Sequence, residues 1–167
     1  MDISKYADYA IVTNGCHILK NGQLMNSYEK HLSNEINWDE FRDSAVKCIK
    51  EAAELDKDPR IIDNRYIFAK VADSNIDTTE KLIELNKKYN NLTIQRNGRK
   101  LYVTPRNITK STALDWLRHE LELDNAVVIA SGDSVMDKDL VKYADIKIVP
   151  AHGDINKHLD FEPDKIV

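Results

Sequence analysis

The sequence has little of what marks secreted, membrane-bound or nucleic-acid-binding proteins. Its two cysteines, Cys16 and Cys48, lie far apart without a C-x-x-C spacing, which favours a reduced chain over a disulfide framework. No apolar run approaches the roughly 20 residues of a transmembrane helix. The formal net charge is -4 and the lysines are scattered, which argues against a nucleic-acid surface. We therefore predict a cytoplasmic protein that binds neither nucleic acid nor membranes.

The composition is that of an ordinary globular protein, and the order of the predicted elements indicates an α+β unit from about Cys16 to Thr104. Hydrophobic residues make up 42% and charged residues 31% of 167 residues, enough for one medium domain or two small ones. A short strand, Tyr9–Val12, is followed by an Asn14-Gly15 turn signal. Turn signals then predict a hairpin of strands Cys16–Leu19 and Leu24–Tyr28. Apolar spacing predicts a helix that begins at Asn37, a strand over Ile61–Val71 and a helix after Asp77. A second hairpin is predicted around Asn97-Gly98.

The last third of the chain has a different pattern. It predicts a helix over Ser111–Leu123, a strand at Val127, a helix around Val135–Tyr143 and a strand over Asp145–Val149. This order is typical of a parallel β-α-β unit. Residues 150–167 are polar and carry no clear pattern.

Two carboxylates follow the Val127 strand, at the end where ligands bind in open α/β sheets. Asp133 and Asp137 could together hold Mg²⁺, a hard cation that takes oxygen ligands. The alternative is structural, because Ser134 and Asp137 also have the spacing of a capping box at a helix N-terminus. Asp139 is better explained as a solvated helix residue. The spacing alone leaves both interpretations open.

Lys110 is the second candidate. It follows Thr109, a plausible N-cap, and a lysine at a helix N-terminus makes a good phosphate cradle. The alternative is a solvated surface lysine. The five histidines show no metal-ligand spacing, and we interpret them as structural or surface residues.

Three stretches together resemble the haloacid dehalogenase superfamily of phosphatases, in the Cof-type and sucrose-phosphatase-like branch with a large cap domain. Tyr9–Gly15 looks like the strand and Asn-Gly at the cap entrance, Ile108–Leu114 like the third motif, and Gly132–Asp137 like the fourth. The resemblance implies a partial Rossmann-like core with parallel strands plus an α+β cap. It also implies that Lys110 is catalytic and binds phosphate, that Asn14 binds phosphate, and that Asp133 and Asp137 bind Mg²⁺.

The same resemblance predicts a domain organisation. Residues 1–15 would be a remnant core strand and hinge, 16–104 the cap domain that selects the substrate, and 105–167 the C-terminal half of the core. The substrate would be a small phosphorylated metabolite.

The sequence departs from the family pattern in one respect that matters for mechanism. The first motif, D-x-D-G-T, which carries the nucleophile, is absent, as is the Ser/Thr of the second motif. Ser111 also stands where Gly is usual, and Met136 where Asn is frequent. We therefore expect a phosphatase-like chain that does not turn over by itself and holds Mg²⁺ weakly or not at all. The alternatives are a non-catalytic phospho-ligand-binding or protein-interaction module of the same fold, or an unrelated α/β domain.

In the family, the strand that carries the nucleophile lies beside the strand that carries the fourth motif. Without it, Val127–Ala130 would be an apolar edge with unpaired backbone groups. We expect this edge to be covered by a second copy of the chain, by a complementing N-terminal fragment, or by residues of the tail.

Overall fold

The computed structural model describes residues 7–167, which form a mixed α/β protein of two compact units. The first unit is Met1–Ile108 and the second is Thr109–Val167. The predicted roles of residues 1–15, 16–104 and 105–167 as hinge, cap and half-core remain predictions. Residues 1–6 of the first of these segments lie outside the described residues.

The first unit begins with a small antiparallel sheet and a helix. The sheet has the order β1-β2-β3, with β1 at Tyr9–Val12, β2 at His17–Lys20 and β3 at Gln23–Leu24. The predicted second strand, Leu24–Tyr28, is wrong beyond residue 24, because helix α1 (Asn26–Glu35) begins there. The helix buries Tyr28, whose hydroxyl donates to the carbonyl of Gly15 at 2.6 Å. That long-range bond stabilises the segment in a way that its local sequence does not reveal.

The rest of the first unit is a four-stranded antiparallel sheet with two helices. Helix α2 (Trp38–Ala52) begins where predicted, since the Asn37 side chain accepts a hydrogen bond from the Glu40 amide at 3.2 Å. Helix α3 follows at Thr79–Lys88. The sheet has the order β4-β5-β7-β6, with the strands at Arg60–Ile62, Tyr66–Lys70, Lys100–Pro105 and Leu92–Asn97.

One predicted strand of this sheet is in fact a hairpin. Ile61–Val71 was expected to be continuous, but Asp63 and Asn64 take positive φ angles of 49° and 59° and turn the chain between β4 and β5. The hairpin predicted at Asn97-Gly98 is confirmed, with Asn97 opposite Lys100. One face of the sheet packs on α2 and α3 and forms the main core, which includes Phe41, Ala45, Ile49, Ile67, Leu85, Ile94, Leu101 and Val103.

The second unit contains the predicted parallel β-α-β arrangement. Its elements are α4 (Lys110–Glu120), β8 (Ile129–Ser131), α5 (Lys138–Tyr143), β9 (Ile146–Val149) and β10 (Lys165–Ile166). The strands lie in the order β10-β9-β8, and both pairings are parallel. A small core of Val141, Val149 and Ile155 lies within this unit.

Strand β8 is an edge of its sheet. The tail contributes β10, but β10 pairs with the opposite side of β9, so it does not cover Val127–Ala130. The side chains of Val127 and Ile129 are 70% and 62% exposed. Of the three expected covers, the tail is therefore excluded for the described part of this unit, and a second copy or a complementing fragment remains a prediction.

No helix within residues 7–167 has both the length and the apolar character required to cross a bilayer.

Candidate functional site

A tight turn leads from β8 into a short 3-10 helix at Val135–Asp137. The Ser134 hydroxyl accepts a hydrogen bond from the Met136 amide at 3.2 Å. Asp137 Oδ2 in return accepts from the Ser134 amide at 3.2 Å and from its hydroxyl at 3.0 Å. The capping box that the sequence offered as the structural alternative is therefore present. It occupies one oxygen of the Asp137 carboxylate.

Lys110 occupies the other oxygen. Its Nζ donates to Asp137 Oδ1 across 27 residues of sequence. The pair is largely shielded, since the side chains of Lys110 and Asp137 are 30% and 13% exposed. The structure thus places the lysine of the predicted phosphate cradle directly on the acidic turn.

The start of α4 fixes the position of this lysine. Thr109 is the N-cap, and its Oγ1 accepts from the Thr112 amide at 3.2 Å. The Thr112 hydroxyl oxygen accepts from the Thr109 amide at 2.9 Å, which completes a capping box. Lys110 is therefore the first residue of a well-defined helix, where the helix dipole is positive.

The pairing also sets the charge state of Asp137. Burial is the largest single effect and favours the neutral acid. The Lys110 ammonium and the two hydrogen bonds from Ser134 together outweigh burial, so the pKa of Asp137 lies below its usual value. Asp137 is consequently a carboxylate at neutral pH.

Residues of the C-terminal tail (150–167) hold the backbone of the acidic turn in place, a contact that the sequence did not predict. The Ile155 amide donates to the carbonyl of Asp133 at 3.0 Å, and Ile155 is fully buried. A Cβ on Gly153 would lie 3.0 Å from the same carbonyl oxygen. Gly153 was the one available signal, because a glycine in an otherwise unpatterned tail indicates a close approach of two backbones.

Asp133 differs from Asp137 in its surroundings. It is exposed, and its carboxylate pairs with no side chain among residues 7–167. In that same range there is no group of three or more His, Cys, Asp or Glu side chains that could hold a metal ion. Mg²⁺ requires near-octahedral oxygen coordination. One free carboxylate, beside a second that is committed to Lys110 and Ser134, does not make a magnesium site by itself.

Asn14, the remaining predicted site residue, belongs to the first unit. It lies in a 3-10 turn, Thr13–Gly15, with φ 58° and ψ 35°. That conformation suits asparagine, which tolerates the left-handed region better than most residues. Its role in phosphate binding remains a prediction.

Comparison with known proteins identifies relatives of this arrangement. A family model described as sucrose-6F-phosphate phosphohydrolase matches residues 6–154. No curated protein sequence matches the chain.

Among solved structures, a sucrose-phosphatase from Synechocystis sp. PCC6803, in complex with sucrose and phosphate, is similar with a TM-score of 0.71 at 16% identity. The match covers 90% of this chain and 62% of that protein, so the chain spans less than two thirds of its relative. A haloacid dehalogenase-like hydrolase from B. subtilis has a TM-score of 0.57 at 18% identity and covers 95% and 73%. One from Bacteroides thetaiotaomicron has a TM-score of 0.56 at 16% identity and covers 99% and 73%. At these identities the structures show a shared fold.

Proposed function

Because the chain belongs to the sucrose-6F-phosphate phosphohydrolase family, we propose that it binds the phosphate group of a small phosphorylated metabolite through Lys110. The observation that carries this proposal is the Lys110–Asp137 ion pair at the start of α4. It combines a fixed positive charge with the positive end of a helix. Both attract an anion.

The geometry leaves Lys110 able to bind a ligand. An ammonium group has three N–H donors, and Asp137 Oδ1 takes one of them. The side chain remains 30% exposed, so the other donors can reach a phosphate oxygen. The first-turn amides of α4 have no partner within the helix apart from the Thr112 amide, which Thr109 binds. They provide further donors at the same end of the helix.

In this proposal Asp137 is a positioning residue. Its carboxylate orients the Lys110 ammonium and compensates its charge while no phosphate is bound. Its lowered pKa keeps the pair intact at neutral pH.

Phosphate binding by Lys110 does not require Mg²⁺ in this proposal. Asp133 is exposed and free to act as a ligand, whereas Asp137 is bound to Lys110 and Ser134. We expect Mg²⁺ to bind these 167 residues weakly or not at all. Calorimetric titration with MgCl₂ should give no saturable heat for either the wild type or Asp133→Asn, and saturable binding lost in Asp133→Asn would contradict this expectation.

Recognition and turnover are separate in this chain. Lys110 can neutralise phosphate charge, but a covalent route requires a nucleophile that attacks phosphorus. The 167 residues contain no D-x-D-G-T motif. We therefore propose that they bind a phosphate ester without hydrolysing it, and that hydrolysis requires carboxylates supplied from elsewhere.

The second candidate function is a phospho-ligand-binding module that takes part in no hydrolysis at all, even when carboxylates could be supplied from elsewhere. It is favoured by the hydrogen bonds that both Asp137 oxygens accept, from Lys110 and from Ser134, because they suit the turn to hold a lysine. In either case residues 16–104 would select the ligand, and we retain the cytoplasmic location as a prediction.

Phosphate titration tests the role of Lys110. We would measure the affinity for inorganic phosphate and for an aryl phosphate by calorimetry in the wild type and in Lys110→Met. A hydrogen bond to a charged group contributes about 1.5–3 kcal/mol, so affinity should fall about tenfold or more. Lys87→Met, which removes an exposed lysine of α3, is the matched control. Equal affinities for the wild type and Lys110→Met, or an equal loss in Lys87→Met, would contradict the assignment.

A further inference from the structure

The four-stranded sheet of the first unit packs one face on α2 and α3, and its second face carries cations and aromatic rings. Buried side chains alternate with half-buried or exposed ones along β5 and at the start of β7, as expected when successive side chains point to opposite faces. We call this second surface the Phe68 face and define it by five side chains, Arg60, Phe68, Lys70, Lys100 and Tyr102. None of them belongs to the phosphate site described above.

The register of the strands places these side chains next to one another. Arg60 lies opposite Phe68, which in turn lies opposite Tyr102. In the next row of the same face, Lys70 lies opposite Lys100. The rings of Phe68 and Tyr102 are half-buried and in contact, with centroids 5.7 Å apart and planes at 34°. The face therefore presents a row of aromatic rings beside a pair of lysines.

The cations of this face lack counter-charges. Like charges directly opposite each other on a sheet are destabilising, and Lys70 and Lys100 are such a pair. Both are exposed, and neither ammonium group pairs with a carboxylate among residues 7–167. The same holds for the exposed guanidinium of Arg60, a diagonal neighbour of Lys70 on the sheet. A bound anion would relieve the repulsion between the lysines.

A pocket of about 130 Å³ lies on the β4 side of this face, next to Phe68. Asp56 and Asp58 also line it, but each lies near a cation of its own. Asp58 Oδ1 is 3.4 Å from the Nζ of Lys50, and Asp56 Oδ2 is 3.8 Å from the guanidinium of Arg99. The pocket is smaller than the roughly 300–1,000 Å³ of sites that enclose a whole ligand. It can therefore admit one charged group, while the rest of the ligand lies on the aromatic row.

The chemistry of the face selects a ligand that joins an anionic group to a planar ring. An anion alone would pair with the cations but leave the aromatic row in contact with water. A neutral aromatic compound would stack on the rings but leave the opposed lysines without a counter-charge. A mononucleotide meets both requirements, because it carries a phosphate and a base that can stack on an aromatic side chain.

We propose that the Phe68 face binds a mononucleotide. The phosphate is held by Lys70, with Arg60 and Lys100 on either side, and the base stacks on Phe68 and Tyr102. Every base has a π-face, so little preference among bases is expected. This inference goes beyond the proposed function and does not depend on it, because the whole Phe68 face lies in the first unit and the phosphate-binding lysine lies in the second.

An NMR titration of the 167-residue chain with adenosine 5′-monophosphate (AMP) tests the proposal. The backbone amide signals of β5 and β7 are the readout, and adenosine and ribose 5-phosphate are the two half-ligands. We expect AMP to give saturable shifts in both strands. Its affinity should be about fivefold or more above that of either half-ligand, because only AMP engages the cations and the rings together.

Two variants separate the two contacts. Lys70→Gln should weaken AMP binding about fivefold or more and leave adenosine binding unchanged, since it removes a cation and keeps the rings. Lys87→Gln, which removes an exposed lysine of α3, is the matched control and should change neither. Phe68→Leu keeps an apolar side chain in the sheet but should weaken the binding of both AMP and adenosine.

Four results would overturn the proposal. The first is the absence of saturable AMP shifts in β5 and β7. The second is equal affinity for AMP and for ribose 5-phosphate, which would indicate a site for anions alone. The third is an equal effect of Lys70→Gln and Lys87→Gln. The fourth is much tighter binding of a short oligoadenylate than of AMP, which would assign the face to single-stranded nucleic acid. Lys110→Met should leave the AMP shifts of β5 and β7 intact, so failure of the phosphate site and failure of the Phe68 face are distinguishable.

Discussion

Replacing Gly132 by alanine tests how tightly the acidic turn packs on Asp137. A Cβ at position 132 would overlap Cβ of Asp137 and would lie 2.9 Å from its Cγ and 3.2 Å from its Oδ2. Carbon atoms in favourable contact are about 3.5–4.0 Å apart. The overlap involves the stem of the Asp137 side chain, so rotation of its carboxylate cannot relieve it. Either the backbone of the turn or the whole side chain has to move.

The expected cost is that of an overpacked site, about 1–3 kcal/mol. Movement of Asp137 would also stretch its bonds to Lys110 and Ser134, so phosphate affinity should fall together with stability. For a unit of this size, each kcal/mol corresponds to roughly 4 °C or more in melting temperature. We expect the second unit to melt at least about 4 °C lower in Gly132→Ala.

The two tryptophans allow each unit to be followed separately. Trp116 lies in α4 of the second unit and Trp38 in α2 of the first. In a Trp38→Phe background, fluorescence excited at 295 nm reports unfolding around Trp116. Gly22→Ala is the control, since a Cβ there meets nothing within 4 Å and its strained φ of 77° affects only the first unit. If the melting temperature reported by Trp116 is the same in Trp38→Phe with and without Gly132→Ala, the reasoning is refuted.

Two further predictions concern titratable groups. Because the pKa of Asp137 is lowered in the folded state, its stabilising effect should be fully present above the pKa of an unfolded aspartate, about 3.9, and be lost as the pH falls through the folded value. The difference in unfolding free energy between the wild type and Asp137→Asn should therefore be largest at pH 7 and shrink below pH 4, and a constant difference would contradict this. Burial, only partly offset by Arg65, raises the pKa of the Cys16 thiol to about 12, and burial raises that of Cys48 to about 11. Neither thiol should react with a disulfide reagent at pH 8 until the protein is unfolded, and rapid labelling of the native protein would contradict that expectation.

Local signals predicted much of the fold. Asn37 and the apolar spacing after it predicted α2, and the Asn97-Gly98 turn predicted the β6–β7 hairpin. Both features depend on residues close together in sequence. The parallel pairing of β8 with β9 followed from the order of strand, helix and strand.

The errors have long-range causes. Helix α1 was missed because its burial depends on contacts such as the bond from Tyr28 to Gly15. The turn at Asp63 and Asn64 was missed because neither residue is a glycine, although both take positive φ angles. The tail could not be assigned because β10 exists only by pairing with β9.

In the candidate site, too, local features were predicted and long-range contacts were not. The sequence predicted a capping box at Ser134 and an N-cap at Thr109, which are local features. Spacing could not predict that Lys110 would occupy one oxygen of Asp137, since 27 residues separate the two. That contact makes Asp137 the partner of Lys110, while the predicted roles of Lys110 in phosphate binding and of Asp137 in metal binding remain predictions.

The most direct test of the central claim is the release of phenol from a generic aryl phosphate by the 167-residue chain in the presence of Mg²⁺. Saturable binding of the ester with no turnover above the protein-free rate is the predicted result. Turnover that is abolished by Asp133→Ala would contradict the account, since it would show that these residues contain a working nucleophile and a working metal site.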